Sequence, residues 1–136
     1  GLHFPCGKEL DALSLQTEST IQPARLSVKG LEMSLSGLEN QTQAWIAKGE
    51  APAKIARFVL ETVLSSVTRV TEHALDQTGP MPVLCAGGVM CNTLIRARME
   101  QTFGAHFAPA AYSADNASGS AVLAYLKHER MKGGRV

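Results

Sequence analysis

Two adjacent glycines, Gly87 and Gly88, followed at the fourth position by Asn92, form the sharpest chemical signal in the chain. The apolar run that feeds them, from Val83 to Cys85, reads as a buried strand, and a helix is expected from about residue 91. Glycines let backbone N–H groups approach an anion closely, and a helix N-terminus behind them adds a favourable dipole. The same residues also make a plain strand–helix turn: they match neither the GK[ST] ending of a P-loop nor GxGxxG. Asn92 stands where it can cap that helix or aim its amide at a ligand.

Two carboxylates join this set. Asp115, in "SADN" (113–116), precedes an alanine-rich helix, so it reads as an N-cap. At the carboxyl end of a strand it also suits a metal or a phosphate group. Gly7 belongs to a turn, and Asp11 follows four residues later on a helix face. A first-turn acid there ordinarily serves the helix dipole.

Other chemistries find less support. Histidines 3, 73, 106 and 128 form no HxxxH or HExxH pair, so no complete histidine metal site is expected within the chain. Cys6, Cys85 and Cys91 lack metal-ligand spacing and read as free thiols of a reducing cytoplasm, with Cys85 a small buried hydrophobe. Cys91 near a helix start is a conceivable nucleophile, but no base partner is evident. Arg96, Arg98 and the tail "KHERMKGGR" read as solvated surface.

The elements that must position these residues follow from periodicity. A short helix is expected in 7–16, and a β-hairpin in 25–37 with Lys29-Gly30 between its arms. A helix after Ser36 is expected to be capped by Ser36 and Glu39 and to stop at Gly49. Trp45 on it reads as core or interface. From Ala51 to Thr78, apolar residues at Ile55, Val59, Val63, Val67, Val70 and Ala74 mark a long helix, with Pro52 in its first turn and Gly79-Pro80 ending it. A strand at 82–86, a helix to Phe103, a brief strand at 106–109 and a last helix at 116–130 complete an α/β lobe over 1–130, with 131–136 as a flexible tail.

Composition bounds the class. At 136 residues, 45% hydrophobic and 18% charged, the chain suits one packed domain. A formal charge of +1 offers no electrostatic grip on nucleic acid. Nowhere do eighteen apolar residues run together, and "GLHFPCGKEL" shows no signal core, so a cytoplasmic chain with no membrane span is expected. The start without methionine, in what reads as a loop, suggests a fragment or a processed product.

In order, "GLHFPCGKELDAL", "LEMSLSGLENQ", "VLCAGGVMCNTLIRARME" and "YSADNASGSAVLAY" resemble the tRNA threonylcarbamoyladenosine-modifying transferases, formerly called O-sialoglycoprotein endopeptidases or glycoproteases. The resemblance covers essentially the whole chain and corresponds to the C-terminal portion of a two-lobed, actin/hexokinase/Hsp70-like ATPase fold. It implies that Gly7 and Asp11 match a glycine-rich substrate-contacting turn and helix start. Asn92, after Gly87-Gly88, matches a contact to the nucleotide-like part of a threonylcarbamoyl-adenylate, and Asp115 matches one ligand of an iron or zinc ion in the cleft. In that scheme the metal is a Lewis acid and a tRNA adenosine takes the threonylcarbamoyl group. The metal's two histidines and the N-lobe phosphate loops have no counterpart here, so neither metal nor ATP is expected to bind this chain tightly alone. Cys6, Lys8 and Glu39 depart from the family's usual residues, which leaves a second expectation open: a divergent paralogue or fragment that acts as a non-catalytic, dimerising interaction module. The old protease label finds no nucleophile or zinc motif here to support it.

Overall fold

The computed structural model describes residues 2, 3, 5–113 and 117–133. In chain order it contains α1 (Gly7–Ser14), a hairpin of β1 (Val28–Lys29) and β2 (Glu32–Met33), α2 (Ser36–Ala47), α3 (Pro52–Thr78), β3 (Leu84–Cys85), α4 (Thr93–Phe103), β4 (His106–Phe107) and α5 (Ala117–Gly133). This is a small mixed α/β fold. A 3-10 turn, Gly88–Cys91, lies between β3 and α4.

The fold is organised around α3. Pro52 opens it, as expected, because a first-turn residue needs no N–H partner. Gly79 closes it, its N–H reaching Leu75 O at 2.8 Å. The expected stripe of Ile55, Val59, Val63 and Val67 is only half-buried. The deepest positions instead form two rows, Ala56/Leu60/Leu64 and Phe58/Thr62/Ser66, each with four-residue spacing. A two-residue offset turns the second row roughly 200° from the first, so α3 is covered from two sides. The valine stripe marks the flank between them.

Against the first row, Leu60 and Leu64 pack with Cys85, Ile95, Met99 and Ala105. Against the second, Phe58 packs with Ala24, Leu26 and Leu38. Trp45 stacks on Phe58 at 4.4 Å between ring centroids and 14° between planes, so it is a core residue of α2. Thr62 Oγ1 accepts from Ala24 N–H at 3.0 Å and donates to Phe58 O at 2.7 Å, which satisfies a loop donor far away in sequence. Arg69 reaches Leu26 O at 3.0 Å, and His73 Nδ1 pairs with Gly30 O at 2.8 Å. These contacts hold the hairpin and the segment leading into it onto α3.

Several expectations are corrected. The hairpin register pairs Val28 with Met33 and Lys29 with Glu32, so the turn runs through Gly30, at φ +58°, and Leu31 rather than Lys29-Gly30. Ser36 does not cap α2. The helix begins at Ser36 itself after Leu35, and the Ser36 hydroxyl pairs with Ser34 Oγ at 2.9 Å, which leaves no capping box with Glu39. The strand at 82–86 contracts to Leu84–Cys85 beside Pro82, whose nitrogen cannot donate to a ladder. It pairs in parallel with β4, through His106 N–H to Val83 O at 2.8 Å and Ala108 N–H to Cys85 O at 3.0 Å. Among the described residues the two strand pairs stay separate and do not merge into one sheet. Helix α5 runs to Gly133, so residues 131–133 of the expected tail are helical.

Candidate functional site: the junction of α1 and α4

The sequence between β3 and α4 is too rich in glycine to enter a helix at once. Gly87 adopts φ +102° and ψ 162°, a backbone region open essentially to glycine alone. The 3-10 turn then closes through Met90 N–H to Gly87 O at 3.1 Å and Asn92 N–H to Val89 O at 3.2 Å. The α-helix starts only at Thr93. This corrects the expected start of the helix: α4 and its dipole begin at Thr93, five residues beyond Gly88, with a 3-10 turn between them.

What lies at the start of α4 is Asp11. Asn92 is the N-cap, with its Oδ1 accepting from Ile95 N–H at 3.1 Å. Its Nδ2 donates to Asp11 Oδ1 at 2.8 Å. The other carboxylate oxygen of Asp11 accepts from Thr93 N–H at 3.1 Å, which also reaches Oδ1 at 3.3 Å, and from Thr93 Oγ1 at 2.8 Å. Asp11 therefore serves a helix dipole, but that of α4 instead of its own helix. The bond spans 81 positions in sequence and fixes α1, which packs along α3, to the head of α4. Asn92 is 9% exposed as a residue.

The structure thus brings Asp11 and Asn92 into contact, with Gly7 one helical turn before Asp11 and the Gly87-Gly88 turn directly ahead of Asn92. Asp115 lies outside the described residues. Of the two readings of Asn92 the structure shows the cap, through Ile95 N–H, and one amide N–H is committed to Asp11. Thr93 was not anticipated. Its signal in sequence is only a hydroxyl after an asparagine, and nothing local links it to residue 11.

Gly7 and Gly88 differ from Gly87 in kind. Neither has a positive φ, and a Cβ built on either meets nothing within 4 Å. Among the described residues, backbone conformation and packing leave both positions free to carry a side chain.

Nearby chemistry is sparse. Cys91 is exposed and its Sγ approaches Gly87 O at 3.7 Å; all three cysteines are free. Burial pushes the Cys85 thiol above its ordinary pKa, as befits a core hydrophobe. Arg96 lies over the Phe107 ring at 4.8 Å and pairs with Glu100 at 3.4 Å. Among the described residues no three of His, Cys, Asp and Glu come together as a metal-ligand set. No helix of the described residues is long and apolar enough to cross a membrane. A concavity of about 300 Å³ between α3 and α4, lined by Glu61, Ser65, Thr68, Arg98 and Thr102, contains none of the expected site residues.

Comparison with known proteins agrees with the four motifs. Residues 1–121 match the family model described as TsaD, tRNA N6-adenosine threonylcarbamoyltransferase. The protein of that name from Thermus thermophilus is 31% identical over 134 residues, covering 96% of this chain and 41% of that protein. Its namesake from Thermococcus gammatolerans is 33% identical over 97 residues, covering 71% and 30% respectively. The one from Chloroherpeton thalassium is 28% identical over 153 residues, covering 96% and 43%. The chain spans less than half the length of these relatives. By its match over 121 of 136 residues, the chain belongs to the tRNA N6-adenosine threonylcarbamoyltransferase family.

Proposed function

We propose that this chain is the C-terminal lobe of a two-lobed threonylcarbamoyltransferase with an actin/hexokinase/Hsp70-like fold. In the complete cytoplasmic enzyme it forms one wall of a cleft that holds an adenylate-type ligand, from which a threonylcarbamoyl group passes to a tRNA adenosine next to the anticodon. Gly7, Asp11, Gly87, Gly88 and Asn92 line the ligand's side of that cleft, with Gly87 setting the turn that presents Gly88. The observation that carries this reading is the pair Gly7 and Gly88. Both are glycines that nothing among the described residues requires, and they flank the contact between Asp11 and Asn92. Bare backbone at such positions suits the close approach of another molecule.

Asp115 is proposed as one ligand of an iron or zinc ion, the other ligands coming from the remainder of the protein. Among the described residues, which do not include Asp115, no set of ligands for a metal comes together. Alone, the chain is catalytically incompetent and meets tRNA only within the complete enzyme.

A second reading, a non-catalytic module that pairs with itself or with a related subunit, rests on the exposed apolar residues Leu84, Val122, Leu123, Tyr125 and Leu126. Solution mass and melting temperature, each measured with and without ATP, separate the two. The lobe reading expects a monomer that ATP stabilises. An obligate dimer indifferent to ATP favours the module. Stoichiometric, tight iron or zinc binding by the chain alone would show that the metal site is not shared.

A further inference from the structure

We propose that Asp11 and Thr93 are a positioning pair that sets the orientation of the Asn92 carboxamide; its link to ligand binding rests on the reading that Asn92 faces an adenylate-type ligand. A carboxamide offers two donors and one oxygen acceptor. The Asn92 oxygen is held by Ile95 N–H at 3.1 Å and one amide hydrogen by Asp11 Oδ1 at 2.8 Å. With both ends tied, rotation of the amide plane is blocked, and among the described residues one N–H remains to be presented in a fixed direction. The cap bond to Ile95 alone would restrain the oxygen and leave the nitrogen side free to swing.

Asp11 can hold that nitrogen only if its own carboxylate is held. Thr93 does this twice: its N–H is shared between Oδ2 at 3.1 Å and Oδ1 at 3.3 Å, and its hydroxyl donates to Oδ2 at 2.8 Å, so the carboxylate is gripped on both oxygens while Oδ1 also accepts from Asn92. Charge-assisted bonds of this kind are roughly twice as strong as neutral ones. The pair also fixes a distance between elements. Gly7 lies one turn before Asp11 on α1, and Gly88 lies one 3-10 turn before Asn92. One carboxylate therefore sets both the aim of the Asn92 amide and the spacing of the two bare glycine backbones. Asp11 thus acts through Asn92, and the hydroxyl of Thr93 is part of the site although it is directed at a protein carboxylate.

The test uses the full chain with the Asn92 side-chain amide followed by NMR during a millimolar ATP titration. In the wild type, one Asn92 Nδ2 proton is expected to exchange slowly with water. Asp11→Ala should abolish that protection and weaken ATP binding about 10- to 100-fold, the range for a lost charge-assisted bond. Thr93→Val keeps the backbone N–H and removes only the hydroxyl; it should weaken ATP binding about 3- to 10-fold, with Thr93→Ser within about twofold of the wild type. Rescue by serine separates positioning from general loss of packing. A protected Asn92 proton that persists in Asp11→Ala, or Thr93→Val binding ATP like the wild type, overturns the proposal. If wild-type Asn92 signals ignore ATP altogether, the cleft reading fails, while the pair still stands or falls on the exchange of that proton in Asp11→Ala.

Discussion

The two sides of α3 are built on different principles. On one side, Leu60 and Leu64 meet Cys85, Ile95 and Met99, an aliphatic and sulfur-rich core, and the polar work is concentrated at one point, the Asp11 carboxylate on the head of α4. On the other side, Phe58 and Trp45 stack over Ala24, Leu26 and Leu38, and polar contacts are spread along the helix from Thr62 to Arg69 and His73. The first side orients a few groups sharply. The second fastens loop and hairpin backbone by several anchors, none of which aims at a common spot. Precision is local to the side that carries the candidate site, and the opposite side gives α3 a fixed seat.

Core truncations probe the contrast most strongly. Ile95→Ala, at a fully enclosed position, and Phe58→Ala, at its counterpart across the helix, should each cost about 3–5 kcal/mol in urea unfolding. If the two sides share α3 as one cooperative unit, both variants shift a single transition seen by tryptophan fluorescence and by circular dichroism. A fluorescence transition at Trp45 that ignores Ile95→Ala would break the picture of a shared helix. Thr62→Val should cost about 1–3 kcal/mol, because Ala24 N–H would be left buried without an acceptor. Its hydrogen-exchange signature should be confined to the Ala24 segment and the hairpin.

Smaller effects sharpen the site side. Arg96→Ala removes an exposed ion pair and a cation over Phe107, so a loss of about 0.5–1 kcal/mol is expected. A cost well above this would give Arg96 a part in seating β4. The Cys85 thiol, raised in the folded state by burial, contributes stability that is fully present below the ordinary thiol value and lost as pH rises through the raised one. Urea midpoints should therefore fall above about pH 9 in the wild type and fall less in Cys85→Ala. Equal slopes would mean that the first core admits water at Cys85.

Sequence legibility followed the same divide. The long helix, its Pro52 start and its Gly79 stop were readable because capping chemistry and four-residue spacing are local signals. The two-sided burial of α3 was not, since valines outnumber the small and polar residues, Ala56, Thr62 and Ser66, that sit deepest. Periodicity reports hydrophobicity, whereas depth here is set by close approach of neighbouring backbone. Asn92 and Asp11 were each visible as candidates, yet their contact was not, because no local rule joins positions 81 apart. The capping box at Ser36 misled for a related reason: Ser34, two residues before it, offered that hydroxyl a nearer partner.

The conformation of Gly87 bears on how a comparison of homologous sequences should be interpreted. Its φ of +102° imposes glycine by backbone geometry alone, so selection would retain it even in a descendant that had lost every ligand. Invariance at position 87 is thus uninformative about activity. Position 88 carries no such constraint and should drift once function lapses. A divergent lineage that keeps the first glycine and replaces the second would be recognisable as a folded relic, and one that keeps both as a chain still under functional selection.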